Sequence, residues 1–400
     1  MSMTLLRRLP RAAPDGLIAS VLLAFLATAG LFYVNIMAAI VAGVADGLGV
    51  GQREAGWVGS ANIYGAAVGA LVAVFIIKRI RWRMTAFIAL ILLISLDLIS
   101  SRVADIQTLI GLRFVHGLVG GLLVGVAYGV VSRTRSPDRV FGTLLAVQFG
   151  LGGLGVMMLP PLAPIYGTQV LFYALAAFSL VTLLMLPFLD DYPVDRVGGT
   201  DAPAAAVDKI RWGPLAATLL AVFLFQAGNM TLAAYIIGLG RDAGLETGFI
   251  SNAIGWATWI GIAGCLLVVV VGVRFGRWKL MAAAMVLTLA GSLAFHWSAN
   301  PAVFVAANIG TAITWSFVIS YLLGMSAEFD RTGRTAAMAG FSSKMGLASG
   351  PFLGGVLISG QGYGLLINMA VLALGLSALA MLAPAAILDR NRKTPSMDLP

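Results

Sequence analysis

The chain has 400 residues, of which 60% are hydrophobic and only 11% charged, with a formal net charge of +9 and one cysteine, Cys265. The charges gather in short patches between apolar runs of about 18 to 27 residues, long enough to cross a bilayer, which excludes a soluble globular domain. A lone cysteine inside such a run excludes disulfides and cysteine metal sites, and nothing in the composition calls for a cofactor or a metal.

In chain order, Arg7, Arg8 and Arg11 precede a first run that stays apolar from Leu17 to about Val44. That is far beyond the apolar region of a signal peptide, so it reads as an uncleaved first span. Further runs begin near Ala55, Met84, Gln107, Val140 and Gln169. From Asp190 to Trp212 the chain turns polar, with Pro193, Gly198 and Pro203, and reads as a flexible cytoplasmic linker. Six more runs begin near Gly213, Phe249, Lys279, Ala302, Thr335 and Tyr363, and a short tail starts at Asp389. The expectation is an all-α integral membrane protein of twelve spans in two pseudo-symmetric six-helix bundles. Residues 1–189 form the first bundle, 190–212 the linker, 213–388 the second bundle and 389–400 a cytoplasmic tail.

Basic residues set the orientation. Of the 26 Lys and Arg, 21 fall on the termini, the linker and the other even-numbered connections, and only Arg53, Arg102 and Arg241 fall on the opposite side. By the positive-inside rule both termini are cytoplasmic, and the basic balance reports topology rather than a nucleic-acid partner.

The halves match at an offset of 195 residues: Gly49 with Gly244, Gly69 with Gly264, Arg79 with Arg274, Arg139 with Arg334 and Gly155 with Gly350. A parallel repeat in a membrane protein points to two halves that rock about a binding site.

The connection after the second span reads Lys78-Arg79-Ile80-Arg81-Trp82-Arg83, and that after the eighth reads Arg274-Phe275-Gly276-Arg277-Trp278-Lys279. In the fourth span Arg113, Gly117 and Gly121 fall four residues apart, and the eleventh carries Gly350-Pro351. On these features nearly the whole chain resembles the major facilitator superfamily, whose loops have the form Gly-x-x-x-Asp-Arg-x-Gly-Arg-Arg. The resemblance implies a secondary transporter, normally a monomer, with Arg79, Arg83, Arg274, Gly276 and Arg277 in the conformational loops. Both loops lack the family's acidic residue, its place being taken by Lys78 and Val273. The Gly-Pro pair that drug antiporters of the family carry in the fifth span is absent there.

Inside the membrane, Asp97 is the one carboxylate clearly within a span. It lies about five residues before the outer end of the third span, and Arg113 about seven residues into the fourth. At 1.5 Å per residue both sit roughly 7 to 10 Å from the outer surface, so they are expected to pair; the alternative turns Asp97 outward to the headgroups. His116, one helical turn after Arg113, is either a proton carrier with Asp97 and Arg113 or a neutral hydrogen-bonding group. The offset carries this face to Asn308, Thr311 and Trp315. With Tyr33, Asn35, Gln226, Asn229 and the second buried cation, Lys344, these residues are the expected substrate cavity.

More positive than negative charge in that cavity favours a small organic anion moved with protons. The alternative is drug or metabolite efflux by proton antiport. A channel would show a filter segment, and a membrane enzyme a catalytic constellation; the sequence has neither.

Overall fold

The computed structural model describes residues 11–77, 80–135, 137–192, 211–272, 274, 276–329 and 334–393, and every regular element among them is helical. The first apolar run is broken into α1 (Leu17–Ala29), α2 (Phe32–Asn35) and α3 (Met37–Leu48). No proline causes the breaks. At the first of them Gly30 lies so close to a later helix of the same unit that a Cβ there would overlap the carbonyl oxygen of Gly120. Short-range bonds from Leu31 N to Thr28 O (2.8 Å) and Val34 N to Leu31 O (3.0 Å) keep the freed backbone groups paired, as a hydrocarbon surrounding demands.

Next come α4 (Gln52–Ile76), α5 (Trp82–Ser100), α6 (Ile106–Val131), α7 (Pro137–Tyr166) and α8 (Gln169–Met185). After the connection follow α9 (Trp212–Asp242), α10 (Thr247–Val271), α11 (Arg277–Ala294), α12 (Pro301–Glu328) and α13 (Arg334–Lys393). Each helix that opens an apolar run begins within three residues of the start expected from sequence. Ten helices among the described residues are long and apolar enough to cross a membrane. The last, α13, is interrupted at Gln361 (φ −144°) and Gly362 (φ 74°). Asp105 opens α6 by accepting the amide of Thr108 at 2.8 Å, and Asn300 opens α12 by accepting that of Ala302 at 3.0 Å.

Two compact units make up the chain, Met1–Ala202 and Pro203–Pro400. Of the expected linker, residues 193–210 lie outside the described residues. At the start of the expected tail α13 continues in helical form through Asp389 to Lys393, and the Asp389 carboxylate accepts the amide at the start of a neighbouring helix.

The repeat has a physical content in each unit. Gly49 and Gly244 both end the first helical stretch of their unit in the left-handed region, at φ 62° and 86°, where a side chain would be strained. In the first unit a Cβ on Gly69 would overlap the carbonyl oxygen of Leu118. In the second a Cβ on Gly264 would overlap that of Ile313, and Leu118 and Ile313 are themselves 195 residues apart. The same two backbones therefore touch in each unit, and only glycine permits it.

Leu23, Leu26, Leu90, Leu93, Leu123 and Val126 form a core in the first unit, and Val222, Phe225, Met281, Val318, Leu322 and Leu374 one in the second. Phe75, Leu184, Val269 and Leu379 stay exposed, the pattern of helices that face lipid rather than water.

Candidate functional site

Polar side chains of the first unit converge on one carboxylate. Asp97 on α5 and Arg113 on α6 are completely buried, and Arg113 Nη1 donates to Asp97 Oδ1 at 2.7 Å. Its Nη2 donates to the Leu96 carbonyl at 3.0 Å and to the Ser100 hydroxyl. The rings of Phe172 and Tyr33 lie 5.0 and 6.0 Å from the guanidinium carbon. Asp97 thus faces inward, away from the headgroups, and Arg113 is held by its partner instead of lining an open cavity as a free cation.

His116 completes this centre. Its Nε2 is 3.2 Å from Asp97 Oδ1, and its Nδ1 is 2.8 Å from the amide nitrogen of Asn62 on α4. Since that nitrogen can only donate, Nδ1 accepts, and the ring is neutral with its proton on Nε2 toward Asp97. Carboxylate and guanidinium cancel, so the centre carries no net charge. A second proton would have to enter at Nδ1, where Asn62 stands.

Tyr33 is buried beside His116, with ring centroids 6.1 Å apart, and its hydroxyl donates to the Val58 carbonyl at 3.4 Å. Asn35 is locked to α7: its Nδ2 donates to the Gln148 carbonyl at 3.2 Å, and Gln148 Nε2 returns a bond to Asn35 Oδ1 at 3.1 Å. Asn62 and Gln148 were not anticipated. The available signal was that each is the only amide in its run, Asn62 in the second and Gln148 in the fifth.

A second set of polar groups lies within the second unit. Gln226 on α9 is buried and held from both sides: its Nε2 donates to Ser343 Oγ at 2.8 Å, and its Oε1 accepts from Trp315 Nε1 at 2.8 Å. Ser343 stands 195 residues after Gln148, so the same position on the corresponding helix makes the side-chain link in both units. Lys344 follows it on α13 and has neither an ion-pair nor a hydrogen-bond partner among the described residues.

The other expected cavity residues are satisfied within their own helices. Asn229 and Asn308 donate to the carbonyls of Phe225 and Phe304, each at 2.8 Å, and Thr311 donates to that of Ala307 at 2.7 Å.

At the opposite end of the helices lie the degenerate loops. Arg79 falls outside the described residues. Arg83 donates to the Leu189 carbonyl at 2.6 Å and pairs with Asp191 at 3.2 Å, and Arg11 joins Asp190 and Asp191 at 3.2 and 2.9 Å. Those two carboxylates hold the Arg11 guanidinium above its usual range. Burial pushes the nearby Tyr192 phenol up to about 12, and its hydroxyl donates to the Pro14 carbonyl. In the second unit Arg274 is exposed, while Arg277 forms a two-pronged pair with Glu328 from the end of α12. Gly276 opens α11 at φ 79°, and Asp389 accepts the amide of Trp278 at 3.1 Å. Arg81, in the place of that glycine, sits at φ −80°, which explains how a side chain is accommodated in the first loop. The carboxylates missing from the two loops are therefore supplied by the ends of α12 and α13 and by the residues after α8.

No curated protein matches the sequence. Among the solved structures similar in fold are the nucleoside transporter NupG and a point mutant of it. Both are 14% identical and cover 92% of this chain and 98% of theirs, with TM-scores of 0.68 for NupG and 0.71 for the mutant. The model of the Major Facilitator Superfamily matches residues 20–327. With an all-helical membrane fold, a transporter fold in its neighbours and this match over most of its length, the chain belongs to the major facilitator superfamily, as a transporter and not an enzyme.

Proposed function

We propose that this protein is a secondary active transporter that carries a small organic anion across the bacterial cytoplasmic membrane by proton-coupled alternating access. The observation that carries the reading is the buried Asp97–Arg113–His116 centre. A carboxylate and an imidazole at 3.2 Å, enclosed away from water and neutral as a set, can take up one proton at Nδ1 when Asn62 moves aside in the transport cycle and give it back when Asn62 returns. A purely structural ion pair needs no imidazole.

The twelve-span count is supported as follows. Pieces α1 to α3 together cover one bilayer thickness, the nine helices α4 to α12 supply one span each, and α13 is twice the length of a crossing and breaks at Gln361–Gly362. On this proposal six spans lie on each side of the linker in two bundles, an even number puts both termini on one side, which the basic residues make the cytoplasm, and the transporter functions as a monomer. Anion preference follows from the charge left over: Arg113 is cancelled by Asp97, which leaves Lys344 as the uncompensated cation within the spans among the described residues.

The test is uptake of a panel of labelled organic anions into proteoliposomes, with and without an imposed proton gradient. Uridine, of the class named for the similar structures, and a cationic drug serve as controls. Gradient-dependent accumulation of an anion is expected, and His116→Gln should abolish accumulation while sparing exchange. Transport of cations or uncharged solutes alone would replace this reading with efflux, and a His116→Gln variant that accumulates normally would remove the residue from coupling.

A further inference from the structure

The first span leaves regular helix geometry between Gly30 and Ile36, with φ and ψ of −114° and −16° at Leu31 and −108° and 21° at Ile36. Its bonds tighten there to three-residue steps, from Leu31 N to Thr28 O and from Val34 N to Leu31 O, and a tightened stretch in mid-helix often marks a hinge. We propose that residues 30–36 are a hinge that answers to the proton on His116, with Asn35 and Gln148 as the pair that holds its position. The proposal rests on the proton-coupling reading above and adds the element through which the proton acts.

The segment meets three other parts of its unit. Gly30 presses on Gly120, which stands one helical turn beyond His116 on α6. Tyr33 lies beside the His116 ring, and its hydroxyl reaches the Val58 carbonyl of α4 over a long 3.4 Å. Asn35 exchanges two hydrogen bonds with Gln148 of α7. A Cβ on Gly152 or Gly155 would overlap Asn35 or Ile36, so α7 receives the segment closely.

Asn62 connects the proton to the segment. Its Nδ2 donates both to His116 Nδ1 and to the Arg113 carbonyl, at 2.8 and 3.2 Å. A proton at Nδ1 sets two donors face to face, and turning the amide over would set its oxygen against that carbonyl, so the side chain has to withdraw. Val58 and Asn62 are one turn apart on α4, and the withdrawal disturbs the turn that holds the Tyr33 hydroxyl. Tyr33 and Asn35 share the four residues of α2, so a displaced Tyr33 pivots them on the Asn35–Gln148 pair and turns α3 against α1. The charged and titratable groups at the imidazole are Asp97 from α5, Arg113 from its own helix and Tyr33 from α2.

The second unit lacks both parts together. The positions 195 residues after Asp97, Arg113 and His116 are Ser292, Asn308 and Thr311, none of which titrates. Its first helix, α9, runs from Trp212 to Asp242 without a break, with Gly228 in the place of Tyr33 and Met230 in that of Asn35.

The test is the distance between spin labels on the full-length Cys265→Ser protein in nanodiscs, without solute, at about pH 8 and about pH 5, on either side of the ordinary histidine range. One pair is Asp46→Cys near the end of α3 with Gln107→Cys at the start of α6. The control is Asp242→Cys with Ala302→Cys at the corresponding ends in the second unit, and all four positions are exposed. The 12 residues of α3 span about 18 Å, so a swing of about 10° moves the end by about 3 Å. Acidification should shift the first pair by about that much and leave the control pair unchanged. His116→Gln should lose the shift. So should Asn35→Leu, which removes both bonds to Gln148, while Asn35→Gln combined with Gln148→Asn keeps an amide on each side and should restore it. Wild type without a shift, a shift that survives His116→Gln, or an equal shift in the control pair would each overturn the hinge, and a shift that survives Asn35→Leu would overturn the role of the pair. Absence of the shift with gradient-driven uptake intact would remove the hinge and leave the transport reading standing. A shift that His116→Gln abolishes upholds the hinge even where uptake shows that the solute is not an anion.

Discussion

At the scale of single residues, the chain resolves its two span-embedded cations in opposite ways. Arg113 has a carboxylate at 2.7 Å, two further acceptors and an aromatic wall, whereas Lys344 has no partner among the described residues. Removing one member of a buried pair strands the other, at a typical cost of about 3 to 5 kcal/mol, so Asp97→Asn should sharply reduce the yield of folded protein. Arg113→Gln combined with Asp97→Asn leaves no stranded charge and should recover folding, though not gradient-driven accumulation. Fluorescence-detected gel filtration after a temperature ramp separates wild type, the single variant and the double variant. A double variant no more stable than Asp97→Asn would show that the pair is not what the single variant breaks. Depth along the helices was enough to bring Asp97 and Arg113 together from sequence, because two charges at one level in hydrocarbon have few alternatives. It was not enough to find Asn62, Gln148 or Ser343. Their helices are apolar on nearly every side, so periodicity does not say which face meets a neighbour, and a single amide carries no charge that demands a partner.

At the scale of elements, glycine placement decides which helices touch. Gly69 on α4 and Gly264 on α10 have no room for a methyl group against the carbonyls of Leu118 and Ile313, whereas nothing lies within 4 Å of a Cβ at Gly111 on α6. Gly69→Ala and Gly264→Ala should each destabilise by about 1 to 3 kcal/mol as the paired helices are forced apart. Gly111→Ala should be neutral or slightly stabilising, since alanine is the better helix former. Equal melting temperatures for Gly69→Ala and Gly111→Ala would refute the close approach. The cap of α6 adds a pH dependence. The Thr108 hydroxyl and amide both donate to Asp105 and hold its carboxyl below the ordinary range. A depressed carboxyl contributes its stability in full above the ordinary carboxylate range and loses it as pH falls through the depressed value. Asp105→Ala should therefore lower the unfolding temperature near neutral pH and make no difference in strong acid. Helix starts were legible in sequence because apolar runs and charged patches mark them. The breaks at Gly30 and Ile36 were not, because no proline marks either and the close approach of Gly30 to Gly120 is a long-range contact that the first run does not reveal.

For the molecule as a whole, the distribution of basic residues predicts a sidedness that the ion pairs at the helix ends leave intact. Arg11, Arg83 and Arg277 are matched by Asp190, Asp191 and Glu328, so part of the cationic excess on that side is locally neutralised. Orientation responds to Lys and Arg rather than to net charge, and acidic residues contribute little. The bias of 21 to 3 therefore keeps its force despite those pairs. Since Cys265 is the only cysteine, its replacement by serine gives a background free of thiols. In that background Arg102→Cys and Arg241→Cys should react in intact cells with a membrane-impermeant maleimide. Arg139→Cys and Arg274→Cys, both at exposed positions, should react only after the cells are opened. The reverse pattern would place the termini outside and put the Asp97 centre about 7 to 10 Å from the cytoplasmic surface instead of the outer one. Protons would then reach His116 from the cytoplasm first, so the side of the membrane whose pH governs the centre would be exchanged.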